Sequence, residues 1–344
     1  MKRRYRLTAL CLISILTVFV ASCYGRYPVE PKFVIEPKYS AVDDFSEGMA
    51  RIKIRDKKGF INTTGKVVIK PTFDGAGKFS GGLAMVIVDK KRGYINKDGK
   101  IVIKPKFDGA WPFSEGLANV KVDGKYGFID KTGKYTIDPL IQATRDFREG
   151  LARAAAKGKW GYIDKSGNVD VMPKYYDAGD FSGGFAAVTP DNKKWGYINK
   201  KGMMLITPKY DEAREFSEGL AAVRVGKKWG FIDDAGNYIV EPTYKMVKNF
   251  SEGLAPVLIS EGGVKKWGYI DKKGNLKIEN NYHNVDMFRE GLALVKVVEK
   301  YGYINKKGKF VIAPQFKSAG PFYEGLAAVT TDGLKWGFIE NPLK

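Results

Sequence analysis

The chain has 344 residues, a formal net charge of +20, two cysteines and one histidine. So few thiols and imidazoles argue against zinc sites, cysteine–histidine nucleophiles and serine–histidine–aspartate triads. The 40 glycines and 13% aromatic residues, without any long amphipathic run, indicate many short strands joined by tight turns. The predicted fold class is all-β.

The N-terminal segment has the three-part layout of an export signal. A positive cluster is followed by an apolar run, Leu7–Val20, which is shorter than the roughly 20 residues of a membrane span. The string V-A-S-C that ends at Cys23 resembles the lipobox of bacterial lipoproteins, whose cysteine is lipidated. We therefore expect a lipoprotein signal peptide at 1–22, lipidation at Cys23, an anchor linker at 23–31 and a place in the cell envelope, periplasmic or surface-exposed. An ordinary signal, with Cys23 as a spare thiol, is the alternative.

A short motif then recurs with a step of 34 residues and occasional extra ones. It reads F-S-E-G-L-A or a close variant, and its nine copies begin at Phe45, Phe79, Phe113, Phe147, Phe181, Phe216, Phe250, Phe288 and Phe322. Each copy is followed by K-W-G-Y-I-D-K-x-G and then by K-x-V-I-x-P-x-[FY]. Such a period is typical of a repeat architecture. Residues 32–341 are therefore predicted to form one domain of nine units, with a tail at 342–344.

Each unit is predicted to contribute three antiparallel strands. L-A-x-V and W-G-Y-I are short stretches of β-branched and aromatic residues, and D-K-x-G is a hairpin turn before the third strand. Its aspartate, such as Asp130, can accept hydrogen bonds from N–H groups two residues on. The third strand is predicted to end at its proline, which cannot donate to a strand ladder. A loop or short irregular strand then leads to the next unit.

The string W-G-Y-I carries a repeated aromatic position. Alternation places Trp160 and Tyr162 on one face of a strand and Gly161 and Ile163 on the other. A glycine between bulky neighbours indicates that another backbone or ring lies close to it. Packing between units is the commoner use of such aromatic rings, and a stacking ladder for a ligand is the alternative. The candidate stacking residues are Trp160, Trp195, Trp229 and Trp267.

A lysine precedes the aromatic position in all nine units, which predicts a regular row of cations. The F-S-E-G glutamate is the expected ion-pair partner, although Gly81 and Gly183 replace it in two units. Exposed pairs of this kind typically contribute less than about 1 kcal/mol. As a surface, the row would favour an acidic glycan, an acidic protein or an anionic membrane. The candidate binding residues are Lys125, Lys159, Lys194, Lys228, Lys266 and Lys300.

These strings, above all K-W-G-[YF]-I-[DN]-x-x-G, resemble the WG-repeat proteins of bacteria, also called KWG repeats. The resemblance covers roughly residues 32–341. It implies a β-structured repeat array, often in exported or surface proteins. It implies no single activity and brings no catalytic residues.

The repeats begin and end out of phase. Residues 32–39 match the third strand at 309–316, whereas the last unit stops after its second strand at Glu340. A propeller-like ring needs this complement if the first strand of the chain completes the final sheet. We therefore predict a closed ring. An open β-solenoid is the alternative, favoured by the short unit and by Lys58 and Arg92 in the aromatic position, which would suit a terminal cap.

The sequence contains no set of residues typical of a catalytic or metal centre. His283 lies in a variable loop, where a solvated side chain is expected. Asp43 and Asp44 are adjacent and would point apart on a strand, so they suit glycoside hydrolysis poorly. We expect a non-enzymatic binding or scaffold protein without metal or cofactor, which contacts an unknown protein or acidic glycan and reaches the membrane through its lipid. Export makes nucleic acid an unexpected partner.

Two other functions stay open. A hydrolase acting on envelope polysaccharide could draw carboxylates from different repeats, and a structural spacer would need no ligand. An enzyme requires a unique site, whereas the units differ mainly at the aromatic position and at the insertion 260–264.

Overall fold

The computed structural model of the chain describes residues 28–344. This part contains 36 β-strands and no helix, and the strands form nine antiparallel sheets of four. The sheets follow one another around a closed ring, so the protein is a nine-bladed β-propeller. The predicted all-β ring of nine units is confirmed.

The four strands of each blade are named a to d in the order of their pairing. Blades 1 to 3 comprise β2 (Ala41–Val42), β3 (Met49–Ile54), β4 (Lys57–Asn62) and β5 (Val67–Phe73); β6 (Gly75–Ser80), β7 (Leu83–Val88), β8 (Lys91–Ile95) and β9 (Ile101–Phe107); and β10 (Gly109–Ala110), β11 (Ala118–Val122), β12 (Lys125–Ile129) and β13 (Tyr135–Ile141). Blades 4 to 6 comprise β14 (Ala143–Thr144), β15 (Ala152–Ala156), β16 (Lys159–Ile163) and β17 (Val169–Tyr175); β18 (Asp177–Ala178), β19 (Phe185–Thr189), β20 (Trp195–Asn199) and β21 (Met204–Tyr210); and β22 (Glu212–Ser217), β23 (Leu220–Val225), β24 (Lys228–Ile232) and β25 (Tyr238–Tyr244). Blades 7 to 9 comprise β26 (Met246–Val247), β27 (Leu254–Glu261), β28 (Val264–Asp271) and β29 (Leu276–Tyr282); β30 (Asn284–Val285), β31 (Leu292–Val297), β32 (Lys300–Asn305) and β33 (Phe310–Phe316); and β34 (Ser318–Ala319), β35 (Leu326–Thr330), β36 (Trp336–Glu340) and β1 (Phe33–Tyr39).

Strands b, c and d are the three predicted from the repeat, and the turn from c to d has the predicted chemistry. Oδ1 of Asp130 accepts hydrogen bonds from the N–H of Thr132 at 2.9 Å and of Lys134 at 3.1 Å. Gly133 has φ +88°, a value that favours glycine. The turn is therefore specified by its own aspartate and glycine.

Strand d does not end at its proline, contrary to the prediction. In blade 4 the strand contains Pro173 and continues to Tyr175. The pairing slips there, because Trp160 faces Tyr175 while Tyr162 faces Val171. The slip is a β-bulge in an edge strand, a setting in which the missing N–H of proline leaves no ladder bond unmade.

The structure adds a fourth strand, a, to each predicted unit. It has two residues in seven blades and six residues in the other two. Arg214 Nη1 in β22 donates to the carbonyl oxygen of Val247 in β26 at 2.7 Å, and Lys248 Nζ donates to that of Val285 in β30 at 2.8 Å. Neighbouring a strands therefore approach one another, which places them around the axis of the ring and places strand d on the outside. A two-residue inner strand also explains how 34 residues suffice for a blade.

The first strand of the chain closes the ring. β1 pairs antiparallel with β36 as strand d of blade 9, with Phe33 opposite Ile339 and Tyr39 opposite Trp336. At the other side of the same junction, Glu324 accepts a hydrogen bond from the N–H of Gly48 in blade 1 at 2.8 Å. The predicted closing strand is confirmed, and the open solenoid is excluded.

The core lies between the blades. Tyr162 and Trp160 of blade 4 pack toward blade 5, where the Tyr162 ring lies 4.7 Å from that of Phe181, centroid to centroid. Ile163 packs instead toward blade 3, in the cluster that contains Phe128. The two faces of strand c are therefore buried against opposite neighbours, as the alternation predicted.

The glycine of W-G-Y-I is required by the bulge in strand d. A Cβ added to Gly302 would lie 2.7 Å from the carbonyl oxygen of Ile312 and 2.7 Å from the nitrogen of Pro314. The same contact below 3.0 Å would arise in all nine blades, at Gly59, Gly93, Gly127, Gly161, Gly196, Gly230, Gly268, Gly302 and Gly337. The predicted close approach is confirmed, and the group that approaches is the backbone of strand d.

Candidate functional site

The loops of the propeller lie at its two ends, which we name the lysine rim and the glutamate rim. The lysine rim consists of the hairpins from b to c and the corners from d to the next a, and the lysines of the K-W-G motif lie there. The glutamate rim consists of the S-E-G turns from a to b and the D-K-x-G turns from c to d. Because equivalent strands run in the same direction around the ring, the predicted lysine row is brought together on one end.

The lysines of the row do not pair with the F-S-E-G glutamates. Lys57 Nζ lies 2.5 Å from Oδ1 of Asp74, and Lys194 Nζ lies 2.6 Å from Oδ1 of Asp211, in each case the residue 17 positions further on. The predicted pairing with glutamate is wrong because strand b carries the chain from one rim to the other. The two residues are close in sequence and lie on opposite ends of the ring.

The remaining lysines of the row have varied surroundings. Lys159 Nζ lies 5.2 Å from the ring centroid of Tyr176, and Lys228 Nζ donates to the carbonyl oxygen of Thr243 at 3.0 Å. Two others are in no ion pair with any side chain that the structure describes: Lys125 and Lys300.

The single histidine also lies on the lysine rim. His283 is exposed, and its Nδ1 accepts a hydrogen bond from the N–H of Val298 at 3.0 Å. Lys266 Nζ lies 2.6 Å from its Nε2. The imidazole therefore occupies the place that aspartate takes in other blades.

Four lysines crowd together where blade 6 meets blade 7, and we name them the cationic cluster: Lys227, Lys228, Lys245 and Lys265. The Lys265 ammonium, with smaller contributions from Lys228 and Lys227, lowers the pKa of Lys245 below its usual value. Among the described side chains, none of the four is in an ion pair. Of these four, only Lys228 was predicted from the sequence, because Lys245 belongs to no motif and approaches Lys228 only through the corner after strand d.

The glutamate rim holds neighbouring blades together. Glu149 accepts hydrogen bonds from the N–H of Gly183 at 2.6 Å and of Gly184 at 3.0 Å in blade 5, and it pairs with Lys200 at 3.2 Å. Burial alone would raise the pKa of Glu149, but the bonds from Lys200 and the two N–H groups outweigh burial and lower it. The equivalent bonds to the next blade are made by Glu47, Glu115, Glu149, Glu218, Glu252, Glu290 and Glu324.

The predicted stacking tryptophans belong to the interfaces between blades. Trp229 and Trp267 are 6% and 8% exposed and lie within the core. Trp160 and Trp195 are half-buried at the equivalent interfaces. The guanidinium of Arg214 lies 4.3 Å from the Trp229 ring centroid. A stacking ladder needs open ring faces, so Trp229 and Trp267 are not available for one.

A cavity of about 580 Å³ lies near the axis between blades 9 and 1, and Asp43 and Asp44 line it. Asp43 pairs with Arg51 at 2.7 Å, and Glu324 at the same cavity is held by N–H groups of blade 1. Burial raises the pKa of Asp44, and repulsion by Asp43 raises it further. Glycoside hydrolysis requires two carboxyl groups in defined roles. Of the three carboxyl groups that line this cavity, only Asp44 is neither in an ion pair nor bonded to N–H groups of another blade.

Within residues 28–344, no group of three or more His, Cys, Asp or Glu side chains could hold a metal ion. Nor does any helix in this part of the chain have the length and apolar character that crossing a membrane requires. Cys23 and the predicted signal peptide at 1–22 lie outside the described residues.

A closed ring of nine four-stranded blades, each made by one sequence repeat, defines a repeat-built β-propeller. The repeats match the family described as WG containing repeat, at residues 30–57, 59–91, 93–126, 126–160, 160–193, 195–229, 229–261, 267–301 and 301–334. The chain therefore belongs to this family, as its motifs indicated. No curated protein matches it in sequence.

One solved structure with a TM-score above 0.5 supports the fold, and two others are similar at lower scores. A eukaryotic initiation factor is similar with a TM-score of 0.58 and 12% identity, over 81% of this chain and 89% of that chain. The computationally designed protein Ika8 gives a TM-score of 0.46 and 11% identity, over 89% and 98% of the two chains. The C-terminal WD40 domain of Sif2 gives 0.44 and 9%, over 90% and 100%. At these identities the similarity concerns the fold alone.

Proposed function

We propose that the protein is an envelope-anchored scaffold whose lysine rim binds an anionic partner, an acidic glycan in the first place. β-Propellers commonly serve as binding scaffolds. The observation that carries the proposal is the cationic cluster, where four like charges meet without a compensating carboxylate among the described side chains. Crowded cations of this kind raise the local concentration of an anionic ligand.

Comparison of the blades supports this assignment. The corner position that follows strand d is aspartate in blades 1, 2 and 5, where it neutralises the lysine of the row. In blade 6 the same position is Lys245. A position that cancels positive charge in blades 1, 2 and 5 therefore adds to it in blade 6. Blade 8 also has a lysine there, Lys317, but its Nζ donates to the carbonyl oxygen of Asp332 at 3.2 Å, whereas Lys245 lies among three other lysines.

The anchor is part of the same proposal. The N–H of Val29 donates to the carbonyl oxygen of Val311 in blade 8 at 2.8 Å. Lipidation of Cys23 would therefore leave only Tyr24 to Pro28 between the membrane and the ring, and five residues span at most about 18 Å. The propeller would therefore work close to a membrane surface. A nearby membrane would suit a partner that belongs to the same envelope.

Binding is tested on the full chain with polygalacturonate as the acidic glycan probe and polyglutamate as an acidic protein probe. The triple variant Lys228→Gln, Lys245→Gln, Lys265→Gln should weaken binding roughly tenfold or more, and added salt should weaken wild-type binding. The matched control is Lys57→Gln, Lys91→Gln, Lys194→Gln, which removes as many cations from sites already neutralised by aspartate. Equal losses in both variants, or binding that ignores salt, would contradict the proposal. A preference for polyglutamate would move the assignment to an acidic protein.

The anchor is tested by Cys23→Ala. The variant should leave the detergent phase in a partitioning experiment and accumulate in soluble or unprocessed form, because acyl chains add roughly 0.8 kcal/mol of membrane affinity per buried methylene. Unchanged partitioning would show that Cys23 carries no lipid.

A further inference from the structure

An apolar cavity of about 410 Å³ lies between blades 3 and 4, far from the cationic cluster in the order of the blades. One wall is strand d of blade 3, with Ile137, Leu140 and Ile141, and the other includes Ala154 and Ala156 of strand b in blade 4. Its volume falls within the range of about 300–1,000 Å³ typical of small-molecule sites. Comparison of equivalent positions in the other blades shows which residues create this cavity.

The first difference is a missing aromatic ring. Ile141 occupies the last position of strand d, which is tyrosine or phenylalanine in each of the other eight blades: Tyr39, Phe73, Phe107, Tyr175, Tyr210, Tyr244, Tyr282 and Phe316. In blade 2 the equivalent Phe107 is fully buried and lies 6.4 Å from the Tyr135 ring, centroid to centroid. Substitution by isoleucine removes this ring from the interface.

The second difference lies on the facing wall. Ala154 occupies a position of strand b that is valine or isoleucine in every other blade: Ile52, Val86, Val120, Val188, Val223, Val257, Val295 and Val329. Two residues on, Ala156 stands where blades 2 and 3 have Val88 and Val122. Loss of bulk on both walls at one interface leaves a space that normal packing would fill, and such a space costs stability. A ligand that fills it would recover that loss.

The third difference is at the mouth of the cavity. Leu140 is 79% exposed, although the equivalent position is polar in all other blades. In blade 2 that position is Lys106, whose Nζ lies 5.2 Å from the ring centroid of Phe107. Blade 3 thus replaces a lysine and the ring beneath it by two aliphatic side chains, which extends the apolar surface outward.

Cations lie beside this apolar surface. Lys125 and Lys157 border the cavity, and neither is in an ion pair with a described side chain. In blades 1, 2 and 5 the lysine equivalent to Lys125 is held by an aspartate, but blade 3 has Gln142 at that position. The Gln142 oxygen faces the N–H of Gly158 at 3.4 Å.

We propose that this cavity binds a small amphiphilic carboxylate, a fatty acid of medium chain length. The aliphatic walls take the hydrocarbon chain, and Lys125 and Lys157 at the mouth take the carboxylate. Three positions that are otherwise regular, those of Leu140, Ile141 and Ala154, change at one interface, and each change enlarges the apolar space or its mouth. The site is distinct from the rim cluster, so it goes beyond the proposed scaffold function.

The test uses the full chain in lipid nanodiscs and a photoreactive diazirine analogue of decanoate, with labelled peptides mapped by mass spectrometry. Labelling should concentrate on Ile137 to Gln142 and Ala154 to Gly158, and decanoate should compete whereas decyltrimethylammonium should not. Labelling spread evenly over the blades, or equal competition by the cation, would overturn the proposal.

Two variants complete the test. Ile141→Phe with Ala154→Val installs the residues of neighbouring blades, so it should fold with an unchanged or higher melting temperature and lose the labelling. Lys125→Gln with Lys157→Gln should weaken decanoate competition on the order of tenfold, whereas the control Lys91→Gln, whose lysine is held by Asp108, should not. Labelling that survives the filled cavity, or competition unaffected by removal of both lysines, would exclude this site.

Discussion

At the scale of single residues, the glutamate of F-S-E-G has a conformation that its side chain must compensate. All seven of these glutamates have φ between 50° and 55°, in the left-handed region that costs a non-glycine residue roughly 1–2 kcal/mol. The carboxylate compensates by bonding to N–H groups of the next blade. The glutamate can be recognised in the sequence but its partner cannot, because contacts between blades are about 34 residues apart and no local pattern shows them.

The two blades that lack this glutamate differ in a way that a contact between blades explains. Next to Gly81 lies Lys131, whose Nζ would be 3.4 Å from a Cβ added to the glycine. Next to Gly183 lies Asp234, at the position where other turns carry the lysine that pairs with glutamate. A carboxylate would therefore meet an attractive neighbour at the first site and a repulsive one at the second.

Gly81→Glu and Gly183→Glu should accordingly differ in stability. Both introduce the same strained φ, so the difference reports the neighbour: we expect Gly81→Glu to be more stable to denaturant by about 0.5–1 kcal/mol, the range of exposed charge pairs. Addition of Asp234→Lys to Gly183→Glu should remove the difference, whereas Asp234→Lys alone should not stabilise the protein. Equal unfolding free energies of the two glutamate variants would show that the contact between blades contributes nothing.

At the scale of strands, the length of each strand decided what could be predicted. Strands b, c and d have five to eight residues, long enough for alternation and turn residues to show in the sequence. Strand a pairs through only two residues in most blades, as Gly109 and Ala110 do, and two residues carry no periodicity. Strand d was predicted to stop at its proline because the rule for proline in a ladder takes no account of a bulge in an edge strand.

One pair of substitutions can compare the local stability of the closing strand, β1, with that of an ordinary strand d. Ile35 and Ile103 occupy the same position and are each 3% exposed, so Ile35→Ala and Ile103→Ala should both lower the unfolding free energy by roughly 2–5 kcal/mol. Of the two, only Ile35 lies in a strand that the described chain connects to another strand on one side alone, through β2. Hydrogen exchange of the amides from Phe33 to Tyr39 should therefore accelerate in Ile35→Ala without unfolding of the other blades.

The control for this experiment is strand d of blade 2. In Ile103→Ala the amides from Ile101 to Phe107 should exchange together with their neighbours, because covalent connections on both sides hold that strand in place. Similar local exchange in the two variants would mean that ring closure at β1 is no weaker than any other junction.

At the scale of the whole molecule, the number of blades and the closure of the ring could be predicted from the sequence, whereas the distribution of charge over its surface could not. The unmatched strand at 32–39 and the incomplete last unit predicted closure because a ring leaves no free edge. Which cations are neutralised depends on the rim to which each strand leads, so Lys57 is held by Asp74 while Lys228 belongs to an uncompensated cluster. The interior of the ring adds a third environment, where charged side chains of several blades meet near the axis.

Near the axis, Asp44 should make the folding stability of the protein depend on pH. Burial, with repulsion by Asp43, raises its pKa above the ordinary 3.8, so ionisation of this carboxyl opposes folding. That penalty is absent below pH 3.8, grows as the pH rises through the raised pKa and is fully present at neutral pH. Asp44→Asn should therefore melt at a higher temperature than the wild type at pH 7, with the difference shrinking towards zero as the pH falls below about 4.

Asp271→Asn should change the melting temperature at pH 7 in the opposite direction. Hydrogen bonds from Asn275, Lys273 and Lys277 outweigh the effect of burial and lower the pKa of Asp271 to about 2. The wild-type carboxylate therefore contributes stability above pH 3.8 that is lost as the pH falls towards 2, and this variant should melt below the wild type at pH 7. Thermal melts of both variants between pH 3 and 8 check the pair. If Asp44→Asn followed the same course as Asp271→Asn, the charges around the axis would favour an ionised Asp44, and the cavity between blades 9 and 1 would be a water-filled site in which burial carries no penalty.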